Sequence, residues 1–186
     1  MRVLVLLLCI ASSTQAAEVV FLLGNATING EPCTLKMEVS NGDTIKTEKE
    51  SIVEIQLYEN SSVRVKENTM ITFEDLKPKK QKSTMQLIQG QLQSLVKTRS
   101  QYIVKTPTAV AAIRGTFFFV RADARGDYFC TCNGTVHYET SSKEKREISA
   151  SHHSGILVSK DGTIRPAAMQ DHTDTDIFEQ LFHMIE

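Results

Sequence analysis

Residues 53–73 read VEIQLYENSSVRVKENTMITF. Val53, Ile55 and Leu57 alternate with Glu54 and Gln56 before Glu59-Asn60-Ser61 breaks the run. Val63 and Val65 resume the alternation, Glu67-Asn68 interrupts it, and Ile71 with Phe73 marks a third segment. A side-chain period of two puts alternate residues on opposite faces of an extended chain, so each segment predicts a strand with one buried face. The pattern recurs around Leu87, Gly90 and Leu92, over 102–105, over 117–120, and over 128–138 with Asn133-Gly134 inside. Short strands at near-regular spacing, with turn residues between them, predict an all-β sandwich, barrel or roll. Phe117 and Phe119 share one face of their strand and Phe118 takes the other, so that strand is expected to be covered on both sides.

The 186 residues suffice for one domain with a proper core and a small appendage. A formal net charge of -1 and 23% charged residues give no nucleic-acid footprint. The run KPKKQK at 77–82 reads as a solvated loop, and SSKEKRE at 141–147 as a loop or hairpin tip. No Gly-x-Ser-x-Gly, His-Glu-x-x-His or phosphate-cradling glycine loop is present, so no enzyme is expected.

Met1-Arg2, the apolar run 3–11 and the small residues 12–17 follow the order of a secretory leader, cut after Ala16 or Ala17. The apolar run is too short to span a bilayer as a helix, and no later stretch is apolar enough to cross one. A periplasmic or secreted chain without a membrane span is therefore expected. At the other end Ile177, Phe178, Leu181, Phe182, Met184 and Ile185 recur at helical spacing behind Thr173 and Asp174, which can cap a helix. A short amphipathic C-terminal helix is expected there, packed on the β domain or offered to a partner.

The stretch 106–120 reads TPTAVAAIRGTFFFV. It resembles the signature of the FecR-domain family, a V-x-TP-x-A segment leading into RGT-x-F-x-V. Residues 41–73, opening on NGDTIKT, resemble that family's first strands. Gly90 and Asn133-Gly134-Thr135-Val136 fall where the family has its l-x-x-G-x-l and late G-x-V elements. The resemblance covers roughly 18–140. It implies a FecR-like β-roll or sandwich of short strands for 18–140, between the leader at 1–17 and a C-terminal extension at 141–186. Well-known members carry a cytoplasmic sigma-factor-binding segment and one membrane helix ahead of this periplasmic domain, and neither is read in this sequence. What the resemblance implies here is the domain, its compartment, and a binding or signalling role with an envelope protein partner. Within the signature, Gly115 is expected at a positive φ, Pro107 at a strand end, and Arg114 donating to nearby carbonyls inside the strand-rich core.

Removing the leader leaves Cys33, Cys130 and Cys132, an odd number of thiols in an oxidising compartment. Cys130 and Cys132 share a strand face, and His152-His153 follows a polar loop that can fold back over that strand. Thiolates and imidazoles are ligands that zinc, copper and iron prefer, so Cys130, Cys132, His152 and His153 form a candidate metal set, with His172 in reserve. A disulfide from Cys33 to Cys130 or Cys132 stands beside that reading, giving a structural envelope module without ligand chemistry. A thiol redox protein using Cys132 with His152 or His153 is the third. A Cys130–Cys132 disulfide would be strained, because same-face strand neighbours lie at or beyond the usual Cα separation.

Overall fold

The computed structural model describes residues 17–58, 61–77, 82–96 and 101–168. They are all-β. Five strands precede the stretch quoted first: β1 (Ala17–Leu23), β2 (Ala26–Ile28), β3 (Glu31–Pro32), β4 (Glu38–Val39) and β5 (Thr44–Thr47). The alternating stretch supplies β6 (Ile52–Gln56), β7 (Ser62–Val65) and β8 (Met70–Asp75), as its period predicts. Then come β9 (Lys82–Leu95), β10 (Gln101–Lys105), β11 (Ala109–Asp123), β12 (Gly126–Thr140), β13 (Lys145–Ala150), β14 (Ser154–Val158) and β15 (Ile164–Ala167).

Three of these strands are long, at 14, 15 and 15 residues for β9, β11 and β12, where the sequence reads as short strands. Each changes partner at its middle. β9 pairs with β8 and, in parallel, with β10 up to Gln89, then with β7 and β11 from Gly90 onward. β11 pairs with β10 through Arg114 and with β9 from Phe117. β12 pairs with β14 over 127–131 and with β13 over 134–139. The changes fall at Gly90, Gly115 and Gly134, with φ of 98°, 57° and 111°. A glycine there lets the strand bend without a Cβ penalty, so each half carries its own short alternation. At Gly90 the need is also spatial, since an added Cβ would lie inside contact distance of the Thr69 backbone.

All fifteen strands join one hydrogen-bonded sheet that curls around a single main core. Phe118, Val120 and Phe129 face that core, joined by Tyr138 from the far half of β12 and by Val63, Ile71 and Leu87 from the first strands. Phe117 and Phe119 turn the other way, into a second apolar cluster with Leu95, Tyr128, Cys130 and Cys132. The two-sided cover expected for the Phe117–Phe119 strand is present.

The TPT turn joins β10 to β11. Pro107 sits in it, off the ladder, as a residue without an N–H must. Thr108 next to it is locked: its N–H and hydroxyl both donate to the buried Asp127 carboxylate, at 2.8 and 2.6 Å. Arg114 departs from expectation. It is exposed rather than set in the core, because Ile113 and Thr116 take the inward positions around the bend. Its carbonyl accepts a hydrogen bond from the Thr116 hydroxyl.

Beyond residue 140 the sheet continues. The polar tip at 141–144 connects β12 to β13, so Lys145–Glu147 are strand rather than loop. β14 and β15 then extend the sheet to Ala167. Residues 1–16 of the expected leader, 78–81 of the basic run, and the C-terminal segment 169–186 with its expected helix and His172 lie outside the described residues. Among the described residues no helix is long and apolar enough to cross a membrane.

Two stability effects follow. Gly90→Ala combines a strained positive φ with a clash against Thr69 and should cost about 3 kcal/mol, read as a lowered urea midpoint. Asp127→Ala strands the buried Thr108 donors and should cost about 2 kcal/mol in the same assay, with the β10–β11 turn losing amide protection first.

Candidate metal centre

The second apolar cluster holds the chemistry. Tyr128, Cys130 and Cys132 lie at alternate positions of β12, so strand geometry alone aims all three at one face. Thr131 between the cysteines points to the main core, where its hydroxyl lies 2.9 Å from that of Tyr138. Burial holds the Tyr138 phenol well above the usual tyrosine range, so it stays a neutral hydrogen-bonding group. Phe119 and Tyr128 pack with ring centroids 6.0 Å apart, and the Arg121 guanidinium lies 5.7 Å over the Tyr128 ring.

His153 reaches this face from the turn before β14. Its N–H donates to the Cys132 carbonyl at 2.9 Å, and its φ of 42° swings the ring back over β12. Its Nδ1 lies 3.5 Å from the Cys130 Sγ. The ligand atoms of Cys130, Cys132 and His153 all lie within 4.8 Å of one another. Tetrahedral zinc with bonds of about 2.3 Å to sulfur and about 2.05 Å to nitrogen needs S···N edges near 3.6 Å and S···S edges near 3.8 Å. The Cys130–His153 edge already has that length, and the Cys132 sulfur lies within 4.8 Å of both other donors.

Of the four residues expected from the sequence, three are therefore brought together and His152 is not. His152 is exposed and lies outside the converging donor set, its ring packed on that of His153 with centroids 4.4 Å apart. Tyr128 and Gly155 belong to the site without having been singled out in the sequence. The signal for Tyr128 was its parity with Cys130 and Cys132. Gly155 pairs with Cys130 and carries no side chain where one would strike the Ala167 carbonyl and the Tyr128 hydroxyl, at 2.7 and 2.8 Å from an added Cβ.

The disulfide expected as an alternative does not form. Cys33 is buried in the main core, whereas Cys130 and Cys132 lie in the second cluster, and no disulfide joins them. Burial raises the Cys33 thiol above its ordinary pKa, so it behaves as a small apolar filler. A thiolate–imidazole nucleophile would use the same Cys130–His153 contact, and among the described residues the group of ligand atoms around it holds no carboxylate. Elsewhere, an open cleft of about 560 Å³ beside Gly90 is lined by Glu67, Gln89, Arg121 and Asp123. Its charges are already engaged: Arg121 and Arg125 both pair with Asp123, the Arg125 hydrogen bond holds that carboxyl below the usual range, and Glu67 accepts from the Glu50 N–H.

The fold and this geometry can be set beside known proteins. Two crystal structures of a proposed anti-sigma factor from Parabacteroides distasonis share the fold, each with a TM-score of 0.57 at 14% sequence identity over 73% of this chain. The chain spans 64% and 63% of the length of those two structures. No curated protein matches the sequence. The family model described as "FecR protein" matches residues 43–137, just over half of the chain and from β5 through most of β12. The chain belongs to the FecR family.

Proposed function

We propose that this protein is an exported sensing module of the bacterial envelope that binds one transition-metal ion through Cys130, Cys132 and His153. The observation that carries the metal reading is the convergence of two thiols and one imidazole within 4.8 Å on a buried apolar face. Their mixed sulfur and nitrogen chemistry suits zinc, copper or iron rather than magnesium or calcium. The signalling role is supported by FecR membership and by the description of the Parabacteroides structures as a proposed anti-sigma factor. The module acts by binding, with a protein partner in the envelope, and not by catalysis. Ala17, buried and paired with Val39 at the start of β1, favours a leader cut after Ala16 over one after Ala17.

Elemental analysis of the protein purified without chelator should find about one equivalent of zinc, copper or iron. The metal should disappear in Cys130→Ser/Cys132→Ser and in His153→Ala, and persist in His152→Ala. A metal-free wild-type protein would overturn the metal reading and leave an interaction module. In the same preparation Cys33 should react with maleimide at least roughly tenfold more slowly in the folded protein than after unfolding, because burial keeps it a neutral, inaccessible thiol. A fast Cys33 would contradict its place in the core.

A further inference from the structure

The open cleft of about 560 Å³ beside Gly90 has a construction of its own. Its walls come from four places in the chain: the β7–β8 turn at Glu67-Asn68, the β9 bend at 88–91, Pro107 in the β10–β11 turn, and 121–124 at the end of β11. The backbones of the first two are tied together. The Asn68 N–H donates to the Glu48 carbonyl at 3.1 Å, which holds the turn with Asn68 at a φ of 52°. The Thr69 hydroxyl donates to the Glu67 carbonyl at 3.0 Å and accepts from the Gln91 N–H at 2.8 Å. The Lys66 N–H donates to the Gln91 carbonyl at 3.0 Å. The cleft is thus preformed, and its volume lies in the range of small-molecule sites.

The side chains are what the cleft offers a ligand. Among the described residues, Asn68, Gln89 and Gln91 line it with amides that hydrogen-bond to no other side chain or backbone group. Each amide carries two donors and an acceptor and no charge. The charged groups balance: the carboxylates of Glu67 and Asp123 stand against the guanidiniums of Arg121 and Arg125, and both guanidiniums are spent on Asp123. A phosphate or carboxylate ligand would find no cation to spare, and an amine no open carboxylate pair. An extended peptide would need open main-chain groups, and those of Gln91 and Thr69 are already bonded. What suits uncharged groups that both donate and accept is a cluster of hydroxyls, and Ile88, Pro107 and Ala124 add apolar surface for the C–H face of a ring. We propose that this cleft binds a neutral mono- or disaccharide, with its hydroxyls held by the Asn68, Gln89 and Gln91 amides. The cleft holds none of the metal donors, so this second site stands or falls apart from the metal reading.

The test is an NMR titration of the isotope-labelled protein with maltose, cellobiose, lactose and diacetylchitobiose, followed through the side-chain amide signals of asparagine and glutamine. At least one of these neutral sugars should shift the signals of Asn68, Gln89 and Gln91 and saturate at millimolar concentration or below. Gln89→Ala and Gln91→Ala should each weaken that binding at least roughly fivefold, and the double variant should abolish it. Gln89→Glu, which keeps the shape but replaces the donors with a charge, should weaken it as well. Gln86→Ala, exposed on β9 outside the cleft, should leave it unchanged. All these variants should keep the wild-type urea midpoint, since the amides removed hold nothing together. No shift of the three amide signals with any of the sugars would overturn the proposal. So would binding indifferent to both glutamine substitutions, tighter binding of galacturonic acid or glucosamine than of every neutral sugar, or a response to trialanine where the sugars give none.

Discussion

The pairing of β11 with β12 is the constraint on which the rest of the structure depends. It runs from Ala109↔Thr140 to Asp123↔Gly126, and almost every other feature hangs from one end or one face of it. Its length cannot be used flat. A ribbon of this extent has two faces to bury, and one core can cover both only if the sheet bends around it. The bend is made where β11 and β12 both shift register, between Arg114 and Phe118, opposite Asn133. Gly115 and Gly134 take positive φ there, and the Thr116 hydroxyl closes the corner by donating to the Arg114 and Thr135 carbonyls. On the adjoining strand Gly90 repeats the device. One half of each long strand can then pair with one set of neighbours and the other half with another.

That corner also explains why the ribbon carries two apolar surfaces. Beyond the bend, the inward positions of β11 and β12 close the main core through Phe118 and Phe129, whose centroids lie 6.2 Å apart. The outward positions are left with Phe119, Tyr128 and the two cysteines. In a sheet with one solvated face those positions would be polar. Here they are apolar and sulfur-bearing, so this half of the hairpin is built to be covered. β14 and β15 reach that flank from the C-terminal side and deliver His153 to it. The candidate metal centre is thus a product of topology: residues 130, 132 and 153 meet because β14 returns along β12 in the register Cys130↔Gly155.

Much of this was legible in the sequence, and the parts that were not share a cause. The period-2 runs located β6, β7, β8, β10 and the hydrophobic halves of β11 and β12. The split of Phe117, Phe118 and Phe119 between two faces followed from strand geometry alone. The shared face of Cys130 and Cys132 followed in the same way. What alternation could not show was continuity through a bend. The runs around 87–92 and over 117–120 mark only parts of strands that are 14 and 15 residues long. β2 to β5 have only two to four residues each, and a buried residue such as Ile45 is a single apolar position among polar ones. Arg114 was misplaced because the bend hands its inward position to Ile113 and Thr116. The choice between His152 and His153 was beyond a sequence reading, since the backbone dihedrals of one turn decide which ring faces β12.

The cysteines show how far residue type alone carries such a reading. For Cys33, Cys130 and Cys132 residue type leaves three fates open, a ligand set, a cross-link or a reactive thiol. Placement separates them: Cys33 has the surroundings of a core methyl group, held off from chemistry by burial, whereas Cys130 lies beside an imidazole. A disulfide would have had to join two different apolar clusters. A buried thiol pair with a histidine at 3.5 Å is an arrangement that core packing by itself does not require, because alanine or valine would fill the same volume without a polar neighbour. The turn at His153 adds to that contrast, since a non-glycine residue at positive φ is held there against its own preference. The backbone bond to the Cys132 carbonyl supplies the restraint, and it ties the imidazole to the very strand that carries both thiols.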